Sequence, residues 1–462
     1  MKASVRGVLS APMWGALLIG GWMAAGSAMA ADLPKATQEM LAKMKLDPAT
    51  LVGLNEEVEN IPAAVLEGAK KEKRVDISGS MDVREFNVMT QSFKERYPFL
   101  DVRYSSGDQF SRNIRPLIAY REGRVLVDIV EGLGVNLSDY KQAGALLKLD
   151  GIPNSANVPA EMNDKDGYYV GPRIRHWCMT YNTNKVKVDE LPKTWDDVVN
   201  MPQLRNGRMG LGNRPNNFMI MLWGVKGPEW SNDFMNKLFN VVKPQLRKEG
   251  ADALVSLVAA GEMDISFPTA SYRTAQSVAK GAPISWWCPT PVPVSSSAMV
   301  IMNKSPHPNA AKLYINWFLS KEGQIAQNYA DGSPPIHRDL QQPVFLLYPE
   351  QTINREAAPR TPQLLEEEMP KVAKLWDTYW LGGKERGPQT VSTGLMAVNK
   401  AGGEIKFQGG NDAMETLAVN ASRTKISIAG KEAKRGDLKA GMSCKISYGG
   451  GAQGEVQEIA CE

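Results

Sequence analysis

Hydroxyls, glycines and arginines follow several short apolar runs of this chain, and a group that holds an anion could be built from them. Ser78-Gly79-Ser80, Ser105-Ser106-Gly107 and Glu131-Gly132 each end a run that reads as a strand. Asn213-Arg214-Pro215 and Thr269-Ala270-Ser271-Tyr272-Arg273 do the same further on, and Arg173 and Arg175 add charge between the two sets. In α/β folds ligands sit at the carboxyl ends of strands, where loops open helices. Free backbone N–H groups there favour negative charge, and an arginine offers a two-pronged fork to carboxylate or phosphate. The candidate ligand-binding residues are therefore Ser78, Ser80, Ser105, Ser106, Glu131, Arg173, Arg175, Asn213, Arg214, Thr269, Ser271, Tyr272 and Arg273. Taken singly, each arginine reads more readily as a solvated surface residue, and each Ser/Gly pair reads also as a turn former.

Catalytic signatures are missing. No HExxH, GxSxG or Walker loop occurs, and no nucleophile stands beside a base, so the chain does not read as an enzyme. Its three histidines, His176, His307 and His337, are not spaced as metal ligands. His307 and His337 read as surface or loop residues. His176 reads as structural, with a pocket role the alternative. The run from Gly449 to Gly454 fits G-x-G-x-x-G, but a strand-like segment follows it where a dinucleotide site needs a helix, so it reads as a hairpin loop. No cofactor is expected.

Alternating elements must position these loops. Arg74 to Ser78, Leu100 to Tyr104 and Val125 to Val130 read as strands, the last a continuous apolar run suited to a sheet covered on both faces. Helical spacing between them places Phe86, Met89 and Phe93 on one face, and a second helix spans Gln109 to Glu122. The pattern then repeats: Cys178 to Tyr181, Arg208 to Leu211, Met263 to Phe267 and Ala298 to Met302 are strands, with Thr194 capping a helix at Trp195. Such alternation predicts a parallel α/β sheet.

Bulk properties set the bounds. With 462 residues the chain is too long for one core, and a net charge of +4 argues against nucleic-acid binding. Lys2 and Arg6, an apolar stretch from Met13 to Met23 and Ala28-Met29-Ala30 form a secretory leader cleaved after Ala30, which predicts export to the periplasm. Export permits disulfides. Cys444 and Cys461 share a short C-terminal β-rich segment and are expected to pair. Cys178 and Cys288 then either pair with each other or stand as two buried thiols.

One phrase organises the rest. His307 to Gln324, with Pro308 in the first helical turn and apolar residues at Ala311, Leu313-Tyr314 and Trp317-Phe318, closely resembles the helix that follows the last cleft-crossing strand in periplasmic solute-binding proteins of ABC importers, ferric-ion-type branch. Arg96-Tyr97-Pro98, Met179 to Asn184 and Leu191 to Asp197 match in order and spacing, over roughly residues 62 to 340. The resemblance implies a two-lobed type II periplasmic binding fold closing on a small ligand by hinge motion near Arg175 to Cys178 and Cys288 to Ser295. It implies delivery to an ABC permease in the inner membrane, by a monomer; a sensor presenting its closed form to a membrane receptor or kinase is the alternative. In that branch two adjacent tyrosines and a histidine hold iron. Here Ser271-Tyr272 occupies the tyrosine pair and Met81 the histidine position, so the resemblance points instead to an organic anion or a chelated metal.

The expected division is a leader at 1–30, a helical lead-in at 31–62, the two-lobed body at 63–383, a linker at 384–403 and a small β-rich domain at 404–462. Lobe 1 takes 63–175 and 295–383, and lobe 2 takes 176–294. A β domain this small is marginal without a staple, which gives a Cys444–Cys461 bridge a physical reason.

Overall fold

A computed structural model describes residues 33–107, 110–134, 136–205, 207–382, 389–399, 401–409, 414–449 and 456–462. The leader and most of the 449–454 glycine run lie outside the described residues. Three sheets carry the fold. The first contains β1 (Arg74–Gly79), β2 (Asp101–Ser106), β3 (Ile129–Leu133), β4 (Leu146–Leu147) and β11 (Ala298–Met302), in the order β2-β1-β3-β11-β4. β1 runs parallel to β2 and β3, and β11 returns antiparallel to β3. The second contains β5 (Arg175–Asn182), β6 (Met209–Gly212), β7 (Gln245–Arg247), β8 (Ile265–Ala270), β9 (Ile284–Trp287), β10 (Val292–Ser295) and β12 (Ala357–Arg360). Its order is β12-β10-β5-β8-β6-β7, with β9 paired to β5.

Helices cover the first sheet because their apolar stripes match it. The helix Pro308–Phe318 buries Leu313, Tyr314, Trp317 and Phe318. Its first turn is capped by a neighbour: Glu72 accepts from the backbone N–H of Ala310 at 2.7 Å and of Asn309 at 3.2 Å. A carboxylate at that end satisfies free donors and the helix dipole together. The lead-in is part of this lobe. The fully buried Glu322 accepts from Thr37 of the helix Lys35–Met44, from Arg96 at 2.6 Å and from the Trp317 indole at 2.9 Å. His337 and His307, expected at the surface or in loops, both lie in irregular chain, where His337 is buried and bonded to Glu57 at 3.2 Å and the half-buried His307 to Asp128 at 3.0 Å.

Three boundaries differ from expectation. The third strand is Ile129–Leu133, while 125–127 is irregular chain delivering Asp128 to the Asp76 carbonyl. Apart from Asp128 the run 125–130 is apolar and shows no alternation, so it does not mark where pairing begins. Residues 357–380 belong with the second lobe, not the first. β12 pairs with β10 there, and Trp376 of the helix Met369–Trp380 donates to Asn213 at 2.8 Å and packs on Phe218 and Phe239. The β-rich unit starts at 389, inside the expected linker. Its sheet is β13 (Gln389–Val398), β14 (Glu404–Gln408), β15 (Met414–Ala418), β16 (Lys425–Ile428), β17 (Lys431–Glu432), β18 (Ser443–Tyr448) and β19 (Val456–Cys461), with β13 paired to both β14 and β18.

Both disulfides form. Cys444 faces Cys461 across β18 and β19. Cys178 on β5 bonds Cys288, just past β9.

Candidate functional site

The two lobes meet over a cavity of about 250 Å³ lined by five arginines: Arg112, Arg173, Arg175, Arg214 and Arg360. Ser80, Asn216, Asn217, Trp177 and the run Ser295-Ser296-Ser297 complete most of the wall, and among the described residues no carboxylate lines it. The register of the two crossing strands builds its floor. Ser295 ends β10 directly opposite Arg175, the first residue of β5, and the Trp177 indole donates to the Ser295 hydroxyl at 2.7 Å.

The arginines are held differently. Arg173 is neutralised: it pairs with the buried Glu131 and reaches Asp331 at 3.4 Å and the Ser80 hydroxyl at 3.2 Å. Burial alone would push its guanidinium down, but those two carboxylates override it and hold the group firmly charged. Arg175 has no such match. Burial and then the neighbouring Arg173 charge pull its pKa down. Its buried Nε lacks a hydrogen-bond partner among the described residues, and its guanidinium carbon lies 5.9 Å from the centroid of the Tyr272 ring. Arg112 is also pushed down by burial. It donates to the Gly107 carbonyl at 3.0 Å and lies across Gly132. A Cβ on Gly132 would stand 2.8 Å from the Arg112 Nη1, and its φ of +91° is one that glycine alone adopts freely. Arg360 donates to the Asn216 carbonyl at 3.0 Å.

A second cavity, of about 700 Å³, adjoins the first and shares Ser80, Arg173 and Arg175 with it. Ser106, Tyr272 and Arg273 face it. Arg273 lies 4.9 Å over the Tyr272 ring.

Of the residues singled out in the sequence, Ser80, Arg173, Arg175 and Arg214 line the inner cavity, and Ser106, Tyr272 and Arg273 the outer one. Glu131 contributes from behind, through Arg173. The others are not on the wall of either cavity. Ser78 is buried within β1, and Ser105 donates to the Ile77 carbonyl at 3.4 Å. Asn213 accepts the Trp376 indole, Thr269 bonds Thr180 at 2.8 Å, and Ser271 is buried at the start of its helix. Ser78 and Thr269 point back into the lobe, each one position before the end of its strand, whereas Ser105 is exposed near the end of β2 and Asn213 and Ser271 lie just past β6 and β8. Sequence reasoning missed Arg112, Arg360, Asn216, Asn217 and Ser295 to Ser297. The last five had a local signal, a polar cluster beside Arg214-Pro215 or next to a crossing strand. Arg112 and Arg360 had none.

Chemically, the cavity offers forked cations, hydroxyls and amides to one small guest. An ionised group taken from water is costly unless matched, so the unmatched Arg175 favours a guest of negative charge. A bare metal cation meets the reverse. Met81 and Tyr272 line the outer cavity and Ser271 is buried at the start of its helix, so of these three Tyr272 alone brings a side-chain oxygen to the cleft. Acidic and histidine groupings do occur at Glu57-His337-Asp339 and Asp76-Asp128-His307, but none of these residues lines either cavity. His176 is buried on β5 and outside the cavity wall; burial lowers its pKa to about 4.

Comparison with known proteins matches residues 82–325 to a family described as bacterial extracellular solute-binding protein. No curated protein matches the chain. Solved structures do match in fold. An iron- and citrate-bound protein of Trichodesmium (IdiA, FutA) is 17% identical with a TM-score of 0.56, over 66% of this chain and 99% of that one. Iron-bound HitA from Pseudomonas aeruginosa is 20% identical with a TM-score of 0.52, over 66% and 99%. A ferric binding protein from Campylobacter jejuni is 16% identical with a TM-score of 0.54, over 66% and 99%.

Proposed function

The chain belongs to the bacterial extracellular solute-binding proteins, and from that premise we propose that it captures a small, multiply charged anion in the arginine-lined cleft. A phosphate- or phosphonate-type group, a polycarboxylate or a negatively charged metal chelate fits the reading. The observation that carries it is the convergence of five guanidinium groups on one cavity without a lining carboxylate.

Closure follows from the same charges. Arg112 and Arg173 come from the first lobe, Arg214 and Arg360 from elements of the second, and Arg175 from the crossing strand between. In the empty cleft these like charges oppose lobe contact. An anion between them turns repulsion into attraction, so it has a higher affinity for the closed state and shifts the population toward it. Closing also excludes water, which strengthens each charged contact. The relatives that match in fold are binding proteins rather than enzymes, and the closed form would be presented to an inner-membrane ABC permease after export to the periplasm. Iron enters this reading only inside an anionic chelate, since the tyrosine pair is broken at Ser271.

A thermal-shift screen tests it. Phosphate, citrate, ferric citrate and simple phosphonates should include ligands that raise the melting point by mass action, and polyamines should not. Stabilisation by a polyamine or by uncomplexed ferric ion, with no response to any anion, overturns the assignment.

A further inference from the structure

Among the described residues the C-terminal β unit supplies none to either cleft cavity, yet it is built into the lobe that carries Arg112. Met396 of β13 is 1% exposed and packs in one apolar cluster with Ile114, Leu117, Leu133 and Tyr140. Around it the contacts are polar. Arg121 donates to the Met396 carbonyl at 2.9 Å, and the Asn136 amide approaches the sulfurs of Met396 and Met414 at 3.6 Å each. Lys406 of β14 pairs at 2.5 Å with Asp139, whose side chain is 5% exposed.

These contacts fall on two segments of the first lobe. One, Phe110–Ile114 with the helix Arg115–Arg121 after it, bears Arg112. The other runs from Gly132 and Gly134, both on the cavity wall, to Asp139. They are tied to each other: Asn113 donates to the Gly132 carbonyl at 3.1 Å, and the Tyr140 hydroxyl donates to the Asn113 carbonyl at 2.6 Å. Phe110–Ile114 is a π-helical turn, a rare form that persists only where its surroundings hold it. A binding group on such a turn depends on the shell behind it.

We propose that Met396 and Lys406 are positioning residues for ligand capture: the β unit completes the first-lobe core and fixes the turn that presents Arg112. The affinity consequence rests on reading the cleft as an anion site; the positioning itself does not.

The test uses the full chain with Met396→Ala and Lys406→Ala. Hydrogen exchange should accelerate about tenfold or more at 110–121 and 132–139 in Met396→Ala, with the second-lobe strands unchanged. Titration with inorganic phosphate and with citrate should show affinity falling about three- to tenfold, and Arg112→Lys should cost less in the Met396→Ala background than alone, because both act on one contact. Faster exchange confined to 389–462, or strictly additive losses, overturns the proposal. If neither anion binds the unaltered protein, the anion reading fails, while the exchange pattern still decides the positioning.

Discussion

Arg175→Met should make the empty protein more stable and the ligand response disappear. Arg175 is half-buried beside Arg173, its buried Nε has no partner among the described residues, and burial pulls its pKa down. Leaving a charged group in that state costs about 1–3 kcal/mol or more. Its stack on Tyr272 returns about 0.5–2 kcal/mol. Methionine fills a similar apolar volume without charge, so the unliganded protein should gain on the order of 1 kcal/mol. Urea unfolding read by tryptophan fluorescence measures this. Binding should move the other way, since removing one partner of a desolvated charge contact costs about 2–5 kcal/mol, or at least tenfold in affinity. A phosphate or citrate titration of the same variant reads it. A variant destabilised by more than about 1 kcal/mol would mean that Arg175 is satisfied in the empty cleft. An unchanged affinity would mean that the anion does not meet it. Either result refutes the reasoning.

His176 has a folded pKa of about 4 against 6.5, lowered by burial, so the unfolded chain binds the extra proton first. Its stability contribution is complete above pH 6.5 and is lost as the pH falls toward 4; the unaltered protein should lose about 2 kcal/mol more than His176→Phe between about pH 7 and 5 in urea unfolding. Glu322→Gln leaves Arg96, 10% exposed, without its carboxylate and weakens the Thr37 and Trp317 contacts; an unfolding cost of about 3–5 kcal/mol is expected, with protease cleavage appearing first in the lead-in. Replacing Cys444 and Cys461 together by serine opens a loop of 17 residues and should cost about 3 kcal/mol, read as a lower melting point that a reductant shifts less than it shifts that of the unaltered protein, since only Cys178–Cys288 remains to be reduced.

What could be read in the sequence was what local chain geometry decides. Ser80, Arg214 and Tyr272-Arg273 follow strands directly, so the rule that loops at strand ends face the crevice found them. The same rule overreached at Ser78 and Thr269, which are still inside their strands, where alternate side chains point into the lobe. The two-lobed architecture was legible through the family resemblance, since the apolar stripe and N-terminal proline of Pro308 to Phe318 by themselves specify only an amphipathic core helix. Arg112 and Arg360 were illegible for the opposite reason. Arg360 reaches the cavity because β12 crosses back onto the second lobe, and nothing within residues 357–360 records that pairing. Arg112 reaches it because Gly132, twenty residues on, leaves the space its guanidinium occupies. The β unit was misjudged on the same grounds, since β13 looks like Gly-flanked linker until β18 and the Met396 pocket are both in place. A cleft assembled from both lobes must draw its charges from distant segments, because residues close in sequence would share one lobe and could not oppose each other across the gap. The arginines hardest to read locally are therefore the ones that make this site responsive to closure.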